Sequence, residues 1–168
     1  IEDVGEQPSG VHETASSNKK LQLVVFRQGG EEFALSIDQI NKVVKTPSVA
    51  KLPKTPAYIK GVANIRGSLI TIVDLEEKFG LNTVADKRVR RYTLVVENEL
   101  TKIGILVKDV PNTLSVLESE IDNSSGVMNY SSLDKKSVKG IVKKDERLII
   151  LVDIYEMIKS SDLKSFNL

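Results

Sequence analysis

Residues Tyr58 to Gly80 read Y-I-K-G-V-A-N-I-R-G-S-L-I-T-I-V-D-L-E-E-K-F-G. The pattern predicts a short strand over Gly61 to Ile65, a tight turn, and a second, largely buried strand, rich in Ile and Val, over Leu69 to Val73. The period then changes to that of a helix, which we expect over Leu75 to Phe79 with Asp74 as its N-cap. This stretch therefore predicts a β-hairpin that leads directly into a short helix.

The same pattern returns near the C-terminus. When Gly61 is aligned with Gly140, 79 positions later, G-S-L-I-T-I-V-D-L-E-E-K-F lies over E-R-L-I-I-L-V-D-I-Y-E-M-I, and most differences exchange one aliphatic residue for another. Two apolar runs around residues 23–37 likewise resemble two runs around residues 94–107. We predict an internal duplication in which each half contributes two opening strands, a linking segment, and a closing hairpin with its helix.

The other predicted elements follow from alternating apolar residues between turn signals. Between Ile37 and Val44 the spacing allows a short helical turn that runs into a strand, and the pattern does not decide between helix and strand. A surface loop is expected from Asn123 to Lys136. The remaining strands are predicted over Leu21 to Arg27, Glu31 to Leu35, Arg91 to Glu97, Lys102 to Val107, Pro111 to Val116, Val138 to Val142 and Arg147 to Val152, followed by a helix from Asp153 to about Ser160.

The length of 168 residues suits one average domain, or two very small subdomains that share an interface. Residues 1–20 are rich in Gly, Ser and Pro and contain few apolar side chains, so we predict a disordered N-terminal tail. The folded domain is expected over residues 21–160, and residues 161–168 are predicted to be a C-terminal tail.

Composition excludes several classes of function. The net charge of +1 gives no reason to expect nucleic acid or an anionic membrane as a partner, and we interpret the basic run Lys87 to Arg91 as a solvated loop. With no cysteine, the chain has no disulfide, thiolate nucleophile or Cys-type zinc site. No apolar run approaches the roughly 18 residues that span a bilayer, so we expect a cytoplasmic protein with no direct membrane insertion.

The sequence also offers no catalytic constellation. His12 is the only histidine and falls in the predicted tail, which removes a histidine-based triad or general base. Asp74 and Asp153 occupy equivalent strand-to-helix junctions, which favours helix capping over an acid–base pair. Glu76, Glu77 and Glu156 are interpreted as first-turn partners of the helix dipole. We therefore predict no enzymatic activity, no metal and no cofactor.

Arg66 is the side chain that invites a functional interpretation. It lies in a turn so tight that Gly67 is expected to adopt a special backbone conformation. Arg66 is either an exposed turn residue of no special role or an interface anchor, because a guanidinium on a rigid hairpin makes bidentate contacts with little loss of entropy. Asn64, Lys60 and Tyr58 would then form a polar and aromatic rim around it.

The stretch P-A-Y-I-K-G-V-A-N-I-R-G-S-L-I-T-I-V-D-L, from Pro56 to Leu75, strongly resembles the signature of CheW-type bacterial chemotaxis coupling proteins. The later stretch G-I-V-K-K-D-E-R-L-I-I-L-V-D-I, from Gly140 to Ile154, resembles the closing segment of the same family. The resemblance covers about Leu21 to Ser160. It implies a mainly β fold of two small five-stranded, SH3-like β-barrel subdomains packed around a shared core, with a few short helices.

The resemblance also implies a non-enzymatic adaptor that links the cytoplasmic helical hairpin tip of chemoreceptors to the regulatory domain of the CheA histidine kinase. The adaptor would be recruited from the cytoplasm to membrane-associated receptor arrays. Lys42 is a candidate for kinase contact. Lys108 follows Val107 at the position where the family usually has an acidic residue. A contact that the family makes through that acidic residue is therefore in doubt for this chain. The residues carried over to receptor binding are Ile40, Gly61, Asn64, Arg66, Gly67 and Tyr92.

Other interpretations remain open from the sequence. The chain could be the CheW-like part of a larger coupling protein or of the kinase itself. A nucleic-acid-binding β-barrel that uses Lys87 to Arg91 is more remote, because aromatic residues make up only 5% of the chain. An enzyme is the least favoured alternative.

Overall fold

The structure is a computed structural model that describes residues 19–81, 89–99, 101–124 and 136–158. Strands form most of these residues. Two one-turn helices, α1 (Leu75–Lys78) and α2 (Ile154–Met157), each follow a closing hairpin, and short 3-10 turns occupy Ile37–Gln39 and Glu118–Glu120. The predicted mainly β class is confirmed. The strands are β1 (Lys20–Gln28), β2 (Glu31–Ser36), β3 (Ile40–Lys45), β4 (Ile59–Ile65), β5 (Ser68–Val73), β6 (Tyr92–Glu97), β7 (Lys102–Val107), β8 (Asn112–Leu117), β9 (Ile121–Asp122), β10 (Val138–Lys144) and β11 (Arg147–Val152).

The strands form two sheets, and each sheet contains strands from both halves of the chain. The first sheet has the order β8-β1-β2-β11-β10-β9, and the second has the order β3-β6-β7-β5-β4. Each sheet therefore takes its opening hairpin from one half of the chain and its closing hairpin from the other. The seams are parallel, with β11 beside β2 and β5 beside β7, whereas the other strand pairs are antiparallel.

The predicted duplication is confirmed in the backbone detail of the two closing hairpins. The β4–β5 ladder has a bulge between Ile59 and Gly61, and the β10–β11 ladder has one between Val138 and Gly140. These positions correspond under the same offset of 79 that aligns the sequences. A bulge increases the local twist of a strand, so both hairpins leave their sheets in the same way.

The central strands of each sheet bury side chains on both faces, because one face packs against the other sheet and the opposite face packs within its own curled sheet. In β1, Val24 and Phe26 belong to the shared core between the sheets, whereas Leu23 and Val25 point into the interior of the first sheet. The interior of the second sheet contains Ala63, Ile65, Ile70, Ile72, Val95 and Leu106. This arrangement matches the predicted pair of barrel-like subdomains around a shared core.

Some local predictions need correction. The helix expected to reach about Ser160 ends at Met157, because Ile158 is extended with φ −109° and ψ 104°. The strand expected to end at Val142 continues through Lys144, so only Asp145 and Glu146 remain for the turn before β11. The first sheet has a sixth strand, the two-residue β9, rather than five. Except for Lys19 and Lys20, the predicted tails lie outside the described residues, as does most of the loop predicted after Asp122.

A salt bridge ties the parallel seam of the first sheet. Arg147 on β11 donates from Nε and Nη2 to Glu32 on β2, at 3.2 and 2.8 Å. These hydrogen bonds hold the pKa of the Glu32 carboxyl below its usual value. The stabilisation is therefore present above the ordinary glutamate pKa of 4.5 and is lost as the pH falls through the lowered value.

Glu32→Gln is expected to lower the free energy of unfolding by about 1 kcal/mol at neutral pH, because the charge-assisted bonds to Arg147 are lost. The difference from the wild type should shrink in acid, when the wild-type carboxyl also becomes neutral. Urea unfolding of the wild type and the variant from neutral to acidic pH measures the difference in the free energy of unfolding and its pH dependence. The control is Glu99→Gln, because Glu99 is an exposed turn residue. A difference that stays constant across this range would contradict the assignment.

Candidate partner-binding surface

The β4–β5 turn presents the signature arginine on a fixed backbone. Arg66 and Gly67 both have left-handed conformations, with φ +50° and φ +86°, and both are exposed. This is the two-residue geometry that matches the twist of a hairpin. Asn64 Oδ1 accepts a hydrogen bond from the Gly67 backbone N–H at 2.9 Å. The predicted special conformation at Gly67 is confirmed, and the structure brings Asn64, Arg66 and Gly67 together at one tip.

Gly61 acts through the backbone. It lies at the β4 bulge with φ +138°, and the adjoining residue Val62 exchanges two backbone hydrogen bonds with Ala50. A β-carbon added at Gly61 would lie 2.0 Å from the Ala50 carbonyl oxygen. The absence of a side chain at Gly61 thus allows the loop before β4 to close against the outer edge of the hairpin.

The other candidate residues lie elsewhere on the second sheet. Ile40 and Lys42 lie on β3, at the opposite end of the strand order from β4. Ile40 pairs with Val96, whereas Tyr92 pairs with Lys45, so Ile40 and Tyr92 are about 13 Å apart along the ladder. Both side chains are partly buried against the shared core, and Lys42 is half-buried. The candidate residues therefore form two groups. Asn64, Arg66 and Gly67 lie at the tip of the β4–β5 hairpin, and Ile40, Lys42 and Tyr92 lie on β3 and β6.

The predicted rim around Arg66 is wrong for two of its three members. Tyr58 is only 7% exposed and belongs to the shared core, with the Lys78 ammonium 4.1 Å from its ring centroid. Lys60 forms an ion pair with Glu77 on α1. Only Asn64 remains beside Arg66. The reason is that the β4 bulge and α1 hold the base of the hairpin against the protein, so only its tip is free to form a surface.

An acidic depression of about 420 Å³ lies where β3 begins, beside the β6–β7 turn. Ile40 lies in its wall, and Asn41 Nδ2 donates a hydrogen bond to Glu97 Oε2. Burial, together with the charges of Glu97 and Asp153, raises the pKa of Tyr155 on α2 to about 12. The depression was not predicted, since its lining comes from segments about 60 residues apart in the sequence: Asp38, Gln39, Ile40, Asn41, Glu97, Asn98 and Glu99.

A buried cluster of charges joins the two sheets at α1. Arg90 Nη2 lies 3.1 Å from Asp74 Oδ2 and 3.0 Å from Glu76 Oε1, and Lys108 Nζ lies 3.4 Å from the same Glu76 oxygen. The other Glu76 oxygen accepts a hydrogen bond from the Gly29 backbone N–H at 2.6 Å. Gly29 belongs to the β1–β2 turn of the first sheet, whereas Arg90 and Lys108 flank strands of the second. Glu76 therefore links the sheets.

This cluster corrects two interpretations of the sequence. Glu76 is more than a helix-dipole partner, because it is 3% exposed and holds two cations and a backbone N–H. Arg90 departs from the predicted solvated loop, since it contacts Asp74 and Glu76. Val89 and Arg91 are exposed as expected, and Lys87 and Arg88 lie outside the described residues. The basic residue Lys108, which departs from the family pattern, is one of the partners of Glu76.

The capping interpretation of the two aspartates is confirmed. Asp74 Oδ1 accepts a hydrogen bond from the Glu77 backbone N–H at 3.2 Å, and Asp153 Oδ1 accepts from Tyr155 and Glu156 at 3.1 and 3.2 Å. Burial raises the pKa of the Asp74 carboxyl, although Arg90 opposes the shift. Within residues 19–81, 89–99, 101–124 and 136–158, no group of three His, Cys, Asp or Glu side chains is arranged to hold a metal ion.

Comparison with known proteins identifies the family. The sequence profile of the CheW-like domain matches residues 22–162. The chain belongs to the CheW-like family. The family members named CheW are non-enzymatic chemotaxis scaffold proteins, so the prediction that this chain is not an enzyme is confirmed and its general role is that of a chemotaxis scaffold. No helix within the described residues is long and apolar enough to cross a membrane.

Individual relatives align along most of the chain. A chemotaxis protein CheW from Thermotoga maritima is 29% identical over 150 residues, covering 89% of this chain and 95% of that protein. A Helicobacter pylori protein of the same name is 30% identical over 139 residues, covering 83% and 82%. The crystal structure of scaffolding protein TtCheW from Thermoanaerobacter tengcongensis superposes with a TM-score of 0.73 at 26% identity, covering 95% of this chain and 94% of that one.

Proposed function

We propose that this CheW-like protein couples the cytoplasmic helical hairpin tip of chemoreceptors to the regulatory domain of the CheA histidine kinase. The observation that carries the proposal is the family match over residues 22–162, which contains the signature hairpin with its arginine exposed. A scaffold that binds two partners needs two separate surfaces. The receptor is assigned the β4–β5 tip together with Ile40 and Tyr92, and the kinase is assigned the surface around Lys42 on the edge strand β3.

The receptor is assigned to Arg66, Asn64 and Gly67 at the tip, with Gly61 holding the hairpin in place. Arg66 supplies a guanidinium whose backbone is already fixed, so binding orders little more than the side chain. Ile40 and Tyr92, partly buried at the edge of the shared core, are the apolar residues assigned to the groove for the receptor helices. This is helix-in-groove recognition, in which an apolar stripe of a helix is buried.

The kinase is assigned to the surface around Lys42. β3 is an edge strand, so one side of its backbone is not paired within the second sheet. Along β3, exposed and half-buried residues alternate, and Val43 is 40% exposed. An edge strand with a half-exposed apolar side chain and basic neighbours is suited to contact with a folded domain. The assembled complex would place this protein in receptor arrays at the cytoplasmic side of the membrane.

Calorimetric titration tests the proposal directly. The full chain is titrated with the isolated regulatory domain of CheA from the same source, and separately with a soluble fragment of a chemoreceptor hairpin tip. Saturable one-to-one binding to both fragments is the expected result, with dissociation constants in the micromolar range typical of transient signalling contacts. If the protein fails to bind one or both of the fragments at tens of micromolar, the coupling function is refuted.

Arg66→Glu is expected to weaken binding of the receptor fragment at least tenfold, because it reverses the charge of an exposed contact residue. Kinase binding and the melting temperature should stay close to those of the wild type. The matched control is Asp145→Arg, since Asp145 occupies the equivalent position in the other closing hairpin, with φ +52° against +50° at Arg66. Joint loss of both affinities and of thermal stability would instead show that Arg66 is structural.

A further inference from the structure

The second sheet carries a long run of positive charge. Between Asp38 and Asp74 the chain has six Lys or Arg residues and no Asp or Glu, although the whole protein has a net charge of only +1. Half of these cations lie in the segment that leads from the end of β3 towards β4, which we call the basic connection (residues 45–54). They are Lys45, Lys51 and Lys54, and all three are exposed.

The basic connection has a fixed backbone. Val49 packs against the interior of the second sheet, and Ala50 exchanges backbone hydrogen bonds with Val62 at 2.8 and 2.9 Å. Thr55 Oγ1 donates to the Leu52 carbonyl oxygen at 3.3 Å. Within the part of the chain that the structure describes, none of the three lysines forms an ion pair. The lysines therefore project from a fixed segment without a counter-charge.

The equivalent segment of the first sheet has the same structural role but the opposite charge. In this acidic connection (residues 118–122), Ile121 packs against the interior of the first sheet and Asp122 pairs with Ile141. Ile141 corresponds to Val62 under the offset of 79. The charged residues of the acidic connection are Glu118, Glu120 and Asp122. Closing a sheet in this way therefore does not require lysines, so the charge of the basic connection is available for binding.

An acidic counterpart to the basic connection is present in the same chain. Residues 1–18 lie outside the described residues and contain no Lys or Arg, but they contain four acidic residues: Glu2, Asp3, Glu6 and Glu13. The carbonyl oxygen of Lys19 accepts a hydrogen bond from the Glu118 backbone N–H at 2.8 Å. The chain therefore enters the fold beside the acidic connection, whose like charge repels residues 1–18.

We propose that residues 1–18 dock on the basic connection of the same molecule through charge complementarity between their carboxylates and the three lysines. While docked, residues 1–18 cover the lysines against other acidic partners, so the contact is autoinhibitory. Docking depends on charge and not on a fixed conformation, which makes it compatible with the disorder predicted for residues 1–20. The contact is a property of the free chain and does not rest on the proposed coupling function.

The length of the segment is sufficient for this contact. An extended chain spans about 3.3–3.6 Å per residue, so 18 residues reach up to about 60 Å. A compact domain of about 140 residues has a radius of gyration of only about 14 Å. Residues 1–18 are therefore able to reach the basic connection from Lys19, and electrostatic attraction decides where they spend their time.

Paramagnetic relaxation enhancement tests the contact in the full chain. The protein has no cysteine, so Ser9→Cys provides a single site for a nitroxide label. A segment that is not attracted elsewhere remains close to Lys19 and broadens the amide signals of the acidic connection. At low salt we expect the label to broaden residues 48–52 at least about twofold more strongly than residues 118–122, because several weak ion pairs together favour the docked state. High salt should remove this preference.

Charge variants show whether the lysines are responsible. The double variant Lys51→Glu with Lys54→Glu should lose the preference for residues 48–52. The matched control is Lys136→Glu with Lys139→Glu, an equal change of charge at exposed positions of the first sheet, and it should keep the preference. Replacing the four acidic residues of residues 1–18 by their amides should also abolish it. All of these changes fall on exposed side chains or outside the described residues, so the melting temperature should stay close to that of the wild type.

Three results would overturn the proposal. The first is stronger broadening of residues 118–122 than of residues 48–52 in the wild type at low salt. The second is a preference that survives Lys51→Glu with Lys54→Glu. The third is equal broadening when labelled protein is mixed with unlabelled, nitrogen-15-enriched protein, because residues 1–18 would then dock on a second copy. Neither receptor nor kinase is present in these measurements, so their outcome is independent of the coupling function.

Discussion

Replacing Gly61 with alanine is expected to lower the free energy of unfolding by about 3–5 kcal/mol. The new β-carbon would lie 2.0 Å from the Ala50 carbonyl oxygen and 2.7 Å from its carbonyl carbon. The backbone at φ +138° is also unfavourable for any residue with a β-carbon. Strain and overpacking each cost about 1–3 kcal/mol, and their sum is a large part of the roughly 5–15 kcal/mol that stabilises a domain.

Urea unfolding followed by circular dichroism measures this loss, and two other glycines separate its causes. Gly67→Ala adds a β-carbon at φ +86° with no atom within 4 Å, so it should report backbone strain alone, at about 1 kcal/mol. Gly30→Ala, at a position with open space and no positive φ, should change stability by less than about 0.5 kcal/mol. Equal effects at Gly61 and Gly67 would mean that the loop at Ala50 moves away without cost.

Most individual strands could be predicted from the sequence, but their assignment to sheets could not. Alternation of apolar residues predicts a strand, and turn residues predict a hairpin, because both depend on neighbours in sequence. The parallel contacts of β5 with β7 and of β11 with β2 join segments about 30 to 115 residues apart. Nothing in a local pattern distinguishes a hairpin that pairs within its own half from one that is exchanged with the other half.

The sequence predicted those features of the candidate site that depend on the local conformation of a turn. Arg66 and Gly67 lie in a tight connection between two apolar runs, and that connection alone required a left-handed backbone. Lys60 and Tyr58 were misplaced because the bulge and α1 turn the base of the hairpin toward the protein. Periodicity does not reveal the exposure of Leu69 either, since an apolar residue in a strand is expected to be buried.

The buried charge cluster was missed because its members are far apart in the sequence. Glu76 looks like an ordinary first-turn glutamate until Arg90 and Lys108 are placed beside it by the second sheet. One signal pointed to it, namely the basic Lys108 at a position where the family often carries an acid. That departure has a physical reason here, since Lys108 Nζ lies 3.4 Å from a Glu76 oxygen that is almost fully buried.

Glu76→Ala is expected to destabilise the protein by about 3–5 kcal/mol, because it removes one partner from a buried, hydrogen-bonded ion cluster. Arg90 would retain Asp74, but Lys108 would lose this carboxylate and the Gly29 N–H would lose its acceptor. Glu76→Gln should cost less, since an amide oxygen still accepts from Gly29 while the charge is lost. The control is Glu156→Ala, an exposed residue in the first turn of α2, expected to cost less than about 0.5 kcal/mol.

The position of Glu76 between the sheets gives this prediction a second readout. Native-state hydrogen exchange should accelerate at Gly29 in Glu76→Ala by more than at backbone amides in the interior of either sheet. The reason is that the Glu76 carboxylate holds Gly29 of the β1–β2 turn to α1, and Gly29 packs closely against Leu81 just after that helix. If Glu76→Ala and Glu156→Ala prove equally mild, then the cost of burying the four charged groups cancels their attraction. In that case close packing at Gly29 and Leu81, rather than the ion cluster, joins the β1–β2 turn to α1.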